Sequence, residues 1–215
     1  MARSRGGLRH GDEPAGHLRA RLFGDQGSAA KGHVPTRRAP RAGRLLDQLS
    51  ASITPIRDAL HRLTGERLVE APRHEGFRVP LVTESMLRHL YTWHLDLLLL
   101  ATARRHWGPI SVEKGEDAST HSPPNPLDQQ NALFLRLVEA GGNPEHRFAL
   151  RVLIEQMEPY QRFEDELLDA VQAETEAISA AISAGDRTAL RKRLMAYHRR
   201  RARLVPELIA RTQSA

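Results

Sequence analysis

Apolar residues recur at helical spacing through most of the chain, interrupted by one stretch of a different rhythm. From Arg41 onward, Leu45, Leu46 and Leu49 mark a short helix that stops at Ser50-Ala51. Ser52 then stands as an N-cap, and Thr54-Pro55 places a proline in the first turn of the next helix, where its missing N–H costs nothing. Ile56, Ala59, Leu60 and Leu63 follow, so this second helix buries one face and turns Arg57, His61 and Arg62 outwards. Beyond Gly65, the runs Leu68-Val69-Glu70-Ala71 and Phe77-Arg78-Val79 flank the polar tip Pro72-Arg73-His74-Glu75-Gly76. Two short apolar runs around a Gly-bearing tip predict a β-hairpin. Helix, tight turn, helix and hairpin together compose a winged helix-turn-helix.

After residue 80 only the helical period is present. Thr83–His106 carries Leu87, Leu90, Tyr91, His94, Leu97, Leu98 and Ala101 on one stripe, with Thr83-Glu84 as its start. A polar, proline-containing connection, Trp107–Pro126, leads to Leu127–Ala140, which Gly141-Gly142 stops. Pro144 to about Tyr160, Arg162–Ala184 and Asp186 to about Thr212 follow, with Gly185 between the last two and a break expected near Pro206. Short Gly-marked connections predict antiparallel neighbours, hence an all-α bundle. The expected layout is a mainly α chain: a flexible arm over 1–16, a winged helix-turn-helix over 17–80 with a small β-hairpin wing, and a helical bundle over 83–213.

Composition narrows the chemistry. The 215 residues suit one large domain or two small ones. With no cysteine, disulfides, thiolate metal sites and thiol nucleophiles are excluded. No apolar run approaches the ~18 residues of a membrane span, and no apolar segment follows the basic N-terminus, so a soluble cytoplasmic protein is expected. Charge is more informative by position than in total. Residues 1–80 carry 15 Lys+Arg against 8 Asp+Glu, whereas residues 81–215 carry 17 against 18. The positive excess belongs entirely to the N-terminal third. A basic head on a neutral body suits polyanion binding, although a solvated basic surface or a frayed arm would give the same count.

Several charged clusters read more plainly. Glu164-Asp165-Glu166 are consecutive on a helix and diverge, which suits surface charge better than paired catalytic carboxylates. Arg199-Arg200-Arg201 and Arg203 sit in the neutral half and read as a solvated or salt-bridged helix face. No Gly-rich phosphate loop, G-x-S-x-G or H-E-x-x-H motif is present, so neither an enzyme nor a cofactor is expected.

The run from Leu49 to Leu63, Leu-Ser-Ala-Ser-Ile-Thr-Pro-Ile-Arg-Asp-Ala-Leu-His-Arg-Leu, continuing to Leu68-Val69-Glu70, resembles the GntR family of bacterial transcription regulators. That family carries roughly L-G-V-S-R-T-P-V-R-E-A-L-x-x-L, then G-L-V, then a wing. The downstream helices resemble the FCD ligand-binding domain of the FadR-type subfamily. The residues involved are Leu90-Tyr91, Glu139-Ala140-Gly141-Gly142-Asn143-Pro144, Ile182-Ser183-Ala184-Gly185-Asp186 and His198. The resemblance covers about residues 17–212. It implies DNA contacts from Ser52, Thr54 and Arg57 on the recognition helix and from Arg73, His74 and Gly76 at the wing tip. The family's Arg between Ser and Thr is Ile53 here, and its Arg just before the first helix is Gly43, so Arg41 or Arg44 stands in.

Many FCD domains hold a divalent metal with an Asp, a His four residues later on the same face, and two further His. The corresponding positions here are Gln130, Phe134, Thr175 and His198. Only one imidazole survives, so the resemblance implies no metal and an effector pocket lined by Gln130, Phe134, Thr175 and His198, joined by His94. Each of the two histidines also reads as ordinary hydrogen-bonded structure. Asp128, His89, His94 and His146 are the substitutes that could rescue a metal site. Asp128 lies two residues from the expected position, roughly 200° around a helix. The expected protein is a dimeric repressor that binds operator DNA and a neutral or apolar small-molecule effector. The alternative is a ligand-unresponsive dimerisation module that binds DNA constitutively or binds a protein partner.

Overall fold

The computed structural model describes residues 53–73, 76–78, 80–103, 108–110 and 125–214. The expected arm, the helix at Leu45–Leu49 and most of the 107–126 connection lie outside the described residues. Two compact units divide the chain, Met1–Leu81 and Val82–Ala215.

In the first unit the described helix is α1, Ile53–Gly65, which buries Ala59, Leu60 and Leu63 and exposes Thr54, Arg57, Asp58, His61 and Arg62. The helix ends at the expected Gly65, and a closing turn follows over Glu66 and Arg67. Leu68 N–H donates to Leu63 O (3.0 Å) and Arg67 N–H to Thr64 O (3.1 Å), with Arg67 in the left-handed region at φ 59°. That double closure satisfies two terminal carbonyls, and an arginine rather than a glycine takes the left-handed position.

The expected hairpin is reduced to a single rung. Glu70 and Arg78 exchange both backbone hydrogen bonds (2.7 and 2.9 Å), and no strand forms among the described residues. The reason lies in the prolines. The next hydrogen-bonded pairs of this register would be 72 with 76 and 68 with 80, and Pro72 and Pro80 have no N–H to give. Side chains hold the loop instead: Arg78 Nε pairs with Glu70 Oε2 at 2.9 Å, and Phe77 packs edge-on against His61 of α1 at 5.1 Å. Gly76, at φ +80°, makes the turn.

The regular structure described in the second unit is all helix: α2 Glu84–Thr102, α3 Pro126–Ala140, α4 Pro144–Gln161, α5 Glu164–Leu167, α6 Val171–Ser183 and α7 Arg187–Ser214. Side-chain caps begin four of them. Thr83 Oγ1 accepts from Met86 N, Asn125 Oδ1 from Asp128 N, Asn143 Oδ1 from Glu145 N, and Asp186 Oδ1 from Ala189 N. Gly185, at φ +66°, sits so close to Pro109 N that a Cβ there would approach it to 2.8 Å, which leaves no room for another residue. Leu87, Leu98, Phe134, Leu150, Met157, Ile178, Leu194, Tyr197 and Leu208 fill one core. Helices α2 and α7 run antiparallel along it, since His94 meets His198 while the earlier Arg88 reaches the later Ala202.

Two expectations fail instructively. The stretch Arg162–Ala184 is not one helix: Leu168 is extended, Ala170 is left-handed at φ 59°, and the chain restarts as α6. Conversely, α7 does not break at Pro206. A proline leaves the carbonyl four residues earlier without its intrahelical donor, and that carbonyl, Ala202 O, accepts from Arg88 Nη1. Helix α7 therefore continues unbroken to Ser214.

Ala170 occupies a conformation that costs an L-residue about 1–2 kcal/mol. Replacing it with glycine is expected to raise unfolding stability by about 1 kcal/mol in urea denaturation, and a loss of stability would contradict the left-handed assignment.

Candidate functional site

The nucleic-acid candidates fall in the first unit. Thr54 and Arg57 lie on the exposed side of α1, and Arg73 and Gly76 are exposed at the tip closed by the Glu70·Arg78 rung. The Phe77–His61 contact pins that tip to α1. Arg41, Arg44, Ser52 and His74 lie outside the described residues.

In the bundle, all five pocket candidates are buried, and the contacts among them are direct. His94 Nδ1 lies 2.8 Å from His198 Nε2, and His198 Nδ1 lies 2.7 Å from the Leu194 carbonyl. A carbonyl only accepts, so His198 carries its proton on Nδ1 and leaves Nε2 bare. His94 must then donate from Nδ1, and its own Nε2 is a bare lone pair, fully buried, with no hydrogen-bond partner. Phe134 meets the His94 ring edge-on at 5.2 Å, and Tyr197 packs against Phe134 at 5.3 Å and against His198 at 4.8 Å. Gln130 is used at both ends: its Nε2 donates to Thr175 Oγ1 and its Oε1 accepts from Tyr197 OH, each at 2.8 Å. Thr175 in turn donates to Val171 O at 3.0 Å.

This donor set does not fit a divalent cation. Gln130 and Thr175 spend their polar atoms on each other and on Tyr197, Phe134 offers no donor atom, and the His198 lone pair is taken by His94. Among the described residues no three His, Asp or Glu side chains gather. Of the possible substitutes, Asp128 and His89 are exposed and His146 is half-buried.

Next to this network lies an ionic cluster that the sequence reading assigned to the surface. Arg201 is fully buried. Its Nε reaches Glu164 Oε2 at 2.6 Å, its Nη1 reaches Glu174 Oε2 at 2.7 Å, and the guanidinium lies 3.3 Å from the centre of the Tyr197 ring. Tyr91 OH donates to the other Glu164 oxygen at 2.7 Å, and Arg200 covers the outer oxygen of Glu174 at 3.3 Å. Burial pushes the Glu164 carboxyl up, while Arg201 and the Tyr91 hydroxyl oppose that shift. A signal for Arg201 existed: Leu194, Tyr197, Arg201, Val205 and Leu208 recur at helical spacing, which places it on the inner face despite its arginine neighbours. For Glu164 no such signal is available, because its inward direction follows from the break after α5.

No family model and no curated protein matches the chain. Solved structures do. A transcriptional regulator described as GntR from Rhodococcus sp. RHA1 is 15% identical, covers 93% of this chain and 99% of its own, and superposes with a TM-score of 0.64. E. coli McbR/YncC is 18% identical over 94% and 99% of the two chains, with a TM-score of 0.59. A third structure, of Lar, described as controlling expression of the Listeria monocytogenes agr system, is 12% identical over 95% and 100%, with a TM-score of 0.53. At these identities the likeness is one of fold, and that fold is the one found in GntR-type transcription regulators.

Burial holds both histidines neutral. His198 is pushed down to about 4, and His94 is pushed well below its ordinary range, by burial first and by the neighbouring His198 and Arg201 second. The unfolded chain takes up these protons near pH 6.5, so the histidines' stability contribution is complete above that pH and is lost as pH falls towards 4. Glu158, raised by burial to about 7, acts in the opposite sense between 4.5 and 7, so the comparison needs a variant. Between pH 7.5 and 5, the wild type is expected to lose about 4 kcal/mol more than the His94→Gln/His198→Gln double variant in urea denaturation, about 2 for each ring. Equal losses would contradict the neutral buried pair.

Proposed function

We propose that the protein is a one-component transcription regulator of the GntR type. Its N-terminal winged helix-turn-helix binds operator DNA in the cytoplasm as half of a homodimer, and its FCD-like bundle acts as the effector and dimerisation domain. The observation that carries this reading is the near-full-length likeness to regulators of that fold, since both units take part in it. The exposed Arg57 on α1 and the basic tip at Arg73 agree with it, as does the confinement of excess positive charge to residues 1–80. Among the described residues no helix is long and apolar enough to cross a membrane.

In this reading Ser52, Thr54 and Arg57 enter the major groove, Arg73, His74 and Gly76 reach the backbone or minor groove, and Arg41 or Arg44 contacts a base or a phosphate. The protein acts as a repressor, released when a small molecule enters the bundle. The His94–His198 side of the interior presents one unused acceptor, His94 Nε2, amid rings, so the favoured effector is a largely apolar molecule carrying a neutral N–H or O–H. Coupling requires the effector to bind one arrangement of the two DNA-binding heads better than the other.

A second reading has its own support: Gln130, Thr175 and Tyr197 spend their polar atoms on one another and His198 is bonded at both nitrogens, as in a bundle that answers to no ligand. Selection from a random double-stranded oligonucleotide pool tests the DNA claim. The regulator reading expects a two-fold symmetric site to be enriched, and Arg57→Ala to weaken binding to it by ~5- to 150-fold, as loss of one base contact of ~1–3 kcal/mol would. No enriched site would overturn the reading. With the site in hand, a panel of neutral metabolites that leaves the complex intact would favour the constitutive binder, whereas release by one of them favours the repressor.

A further inference from the structure

Among the described residues, six large hydrophobic side chains stand exposed, and three of them, Met86, Trp93 and Leu100, lie on α2. They are 46%, 45% and 48% exposed and follow one another at intervals of seven residues. Seven residues are about two turns, so the three side chains form a single line along the helix, drifting by only ~20° per step. The line borders the buried face that carries Leu87, Tyr91, His94 and Leu98. On its other flank His89 and Asp96 repeat the same seven-residue step, and both are exposed.

We propose that this face of α2 docks against the same face of a second copy of the chain, with the two helices antiparallel and Trp93 at the twofold axis. Equal steps on either side of Trp93 make the line its own complement. Met86 falls level with Leu100 of the partner subunit, and Leu100 with Met86 of the partner subunit. In an antiparallel pair like flanks meet. His89 therefore comes within one residue's rise, ~1.5 Å, of being level with Asp96 of the partner subunit, and symmetry forms this imidazole–carboxylate contact twice. A parallel pair would separate these flanks and lose both contacts. Self-complementary patches are how twofold dimers assemble, and a tryptophan at the centre with a polar rim is the composition such contacts favour. The inference gives the dimer of the proposed regulator its contact surface, and rests on that reading for the presence of two copies.

The chain has no cysteine, so an introduced one reports only its own neighbours. Under mild oxidation Trp93→Cys, at the axis, is expected to form a disulfide-linked dimer on non-reducing gels. Met86→Cys should not, because its counterpart lies ~21 Å away in this register. Adding Leu100→Cys to Met86→Cys should restore the link. In sedimentation velocity, Trp93→Asp is expected to shift the protein to monomer with its circular dichroism unchanged. If that variant fails to fold, the cysteine set carries the test alone. A dimer that persists in Trp93→Asp and gives no link through Trp93→Cys overturns the surface and leaves the dimeric regulator standing. A Met86→Cys self-link overturns the antiparallel register. A wild type that is monomeric and never links overturns both the surface and the dimer.

Discussion

A guanidinium held entirely out of water sets the terms for one half of the bundle. An uncompensated buried charge costs several kcal/mol, so Arg201 on α7 is tolerable only if carboxylates arrive with suitable geometry. Two do, from different helices. Glu174 comes from the first turn of α6, and Glu164 comes from α5, where a continuous helix through Arg162–Ala184 would follow a different path. The break between α5 and α6, with its left-handed Ala170, is the backbone's accommodation to that demand. Tyr91 and Arg200 bond the remaining oxygens of the two carboxylates, so four elements are tied together at one residue.

The same rule operates at three further places in the interior. Pro206 strips Ala202 of its helical donor, and Arg88 supplies another from α2, so a residue that usually ends helices becomes a tie between two of them. Gln130, Thr175 and Tyr197 form a closed chain across α3, α6 and α7. His94 and His198 form the next, passing a proton donor from α2 to α7 and ending at the Leu194 carbonyl. Where the resemblance to FCD domains places a metal, this chain has side chains that answer one another.

Periodicity made the helices legible, because apolar positions on a 3.6-residue period report burial directly. Thr83 stands where the start of its helix is expected, whereas the grouping of Gln130, Phe134, Thr175 and His198 with His94 is implied by the resemblance to FCD domains and not by periodicity. What periodicity misses is anything decided by a partner far away in sequence. Pro206 looks like a break until Arg88 is seen beside it, and Glu164 looks like surface until Arg201 is found inside. The hairpin is shorter than expected for a local reason: the apolar runs Leu68–Ala71 and Phe77–Val79 around a Gly-bearing tip suit strands, yet Pro72 and Pro80 remove the donors on both sides of the one rung that forms. Tyr197 touches both networks, bonding Gln130 and lying under the Arg201 guanidinium, and only its place on the inner stripe of α7 signals this in the sequence.

Around His94 and His198 the polar side chains of the bundle pair with one another rather than with a cation, and this pairing depends on the protonation of the two rings. Long-range nitrogen–proton correlation spectra of the imidazoles at pH 7 read it directly, with His94→Gln and His198→Gln variants assigning the signals. The structure predicts that both rings are neutral with the proton on Nδ1, and that no shift follows addition of zinc, nickel or manganese. An Nε2 proton on His198, a charged ring in either residue, or a metal-dependent shift of both would contradict it.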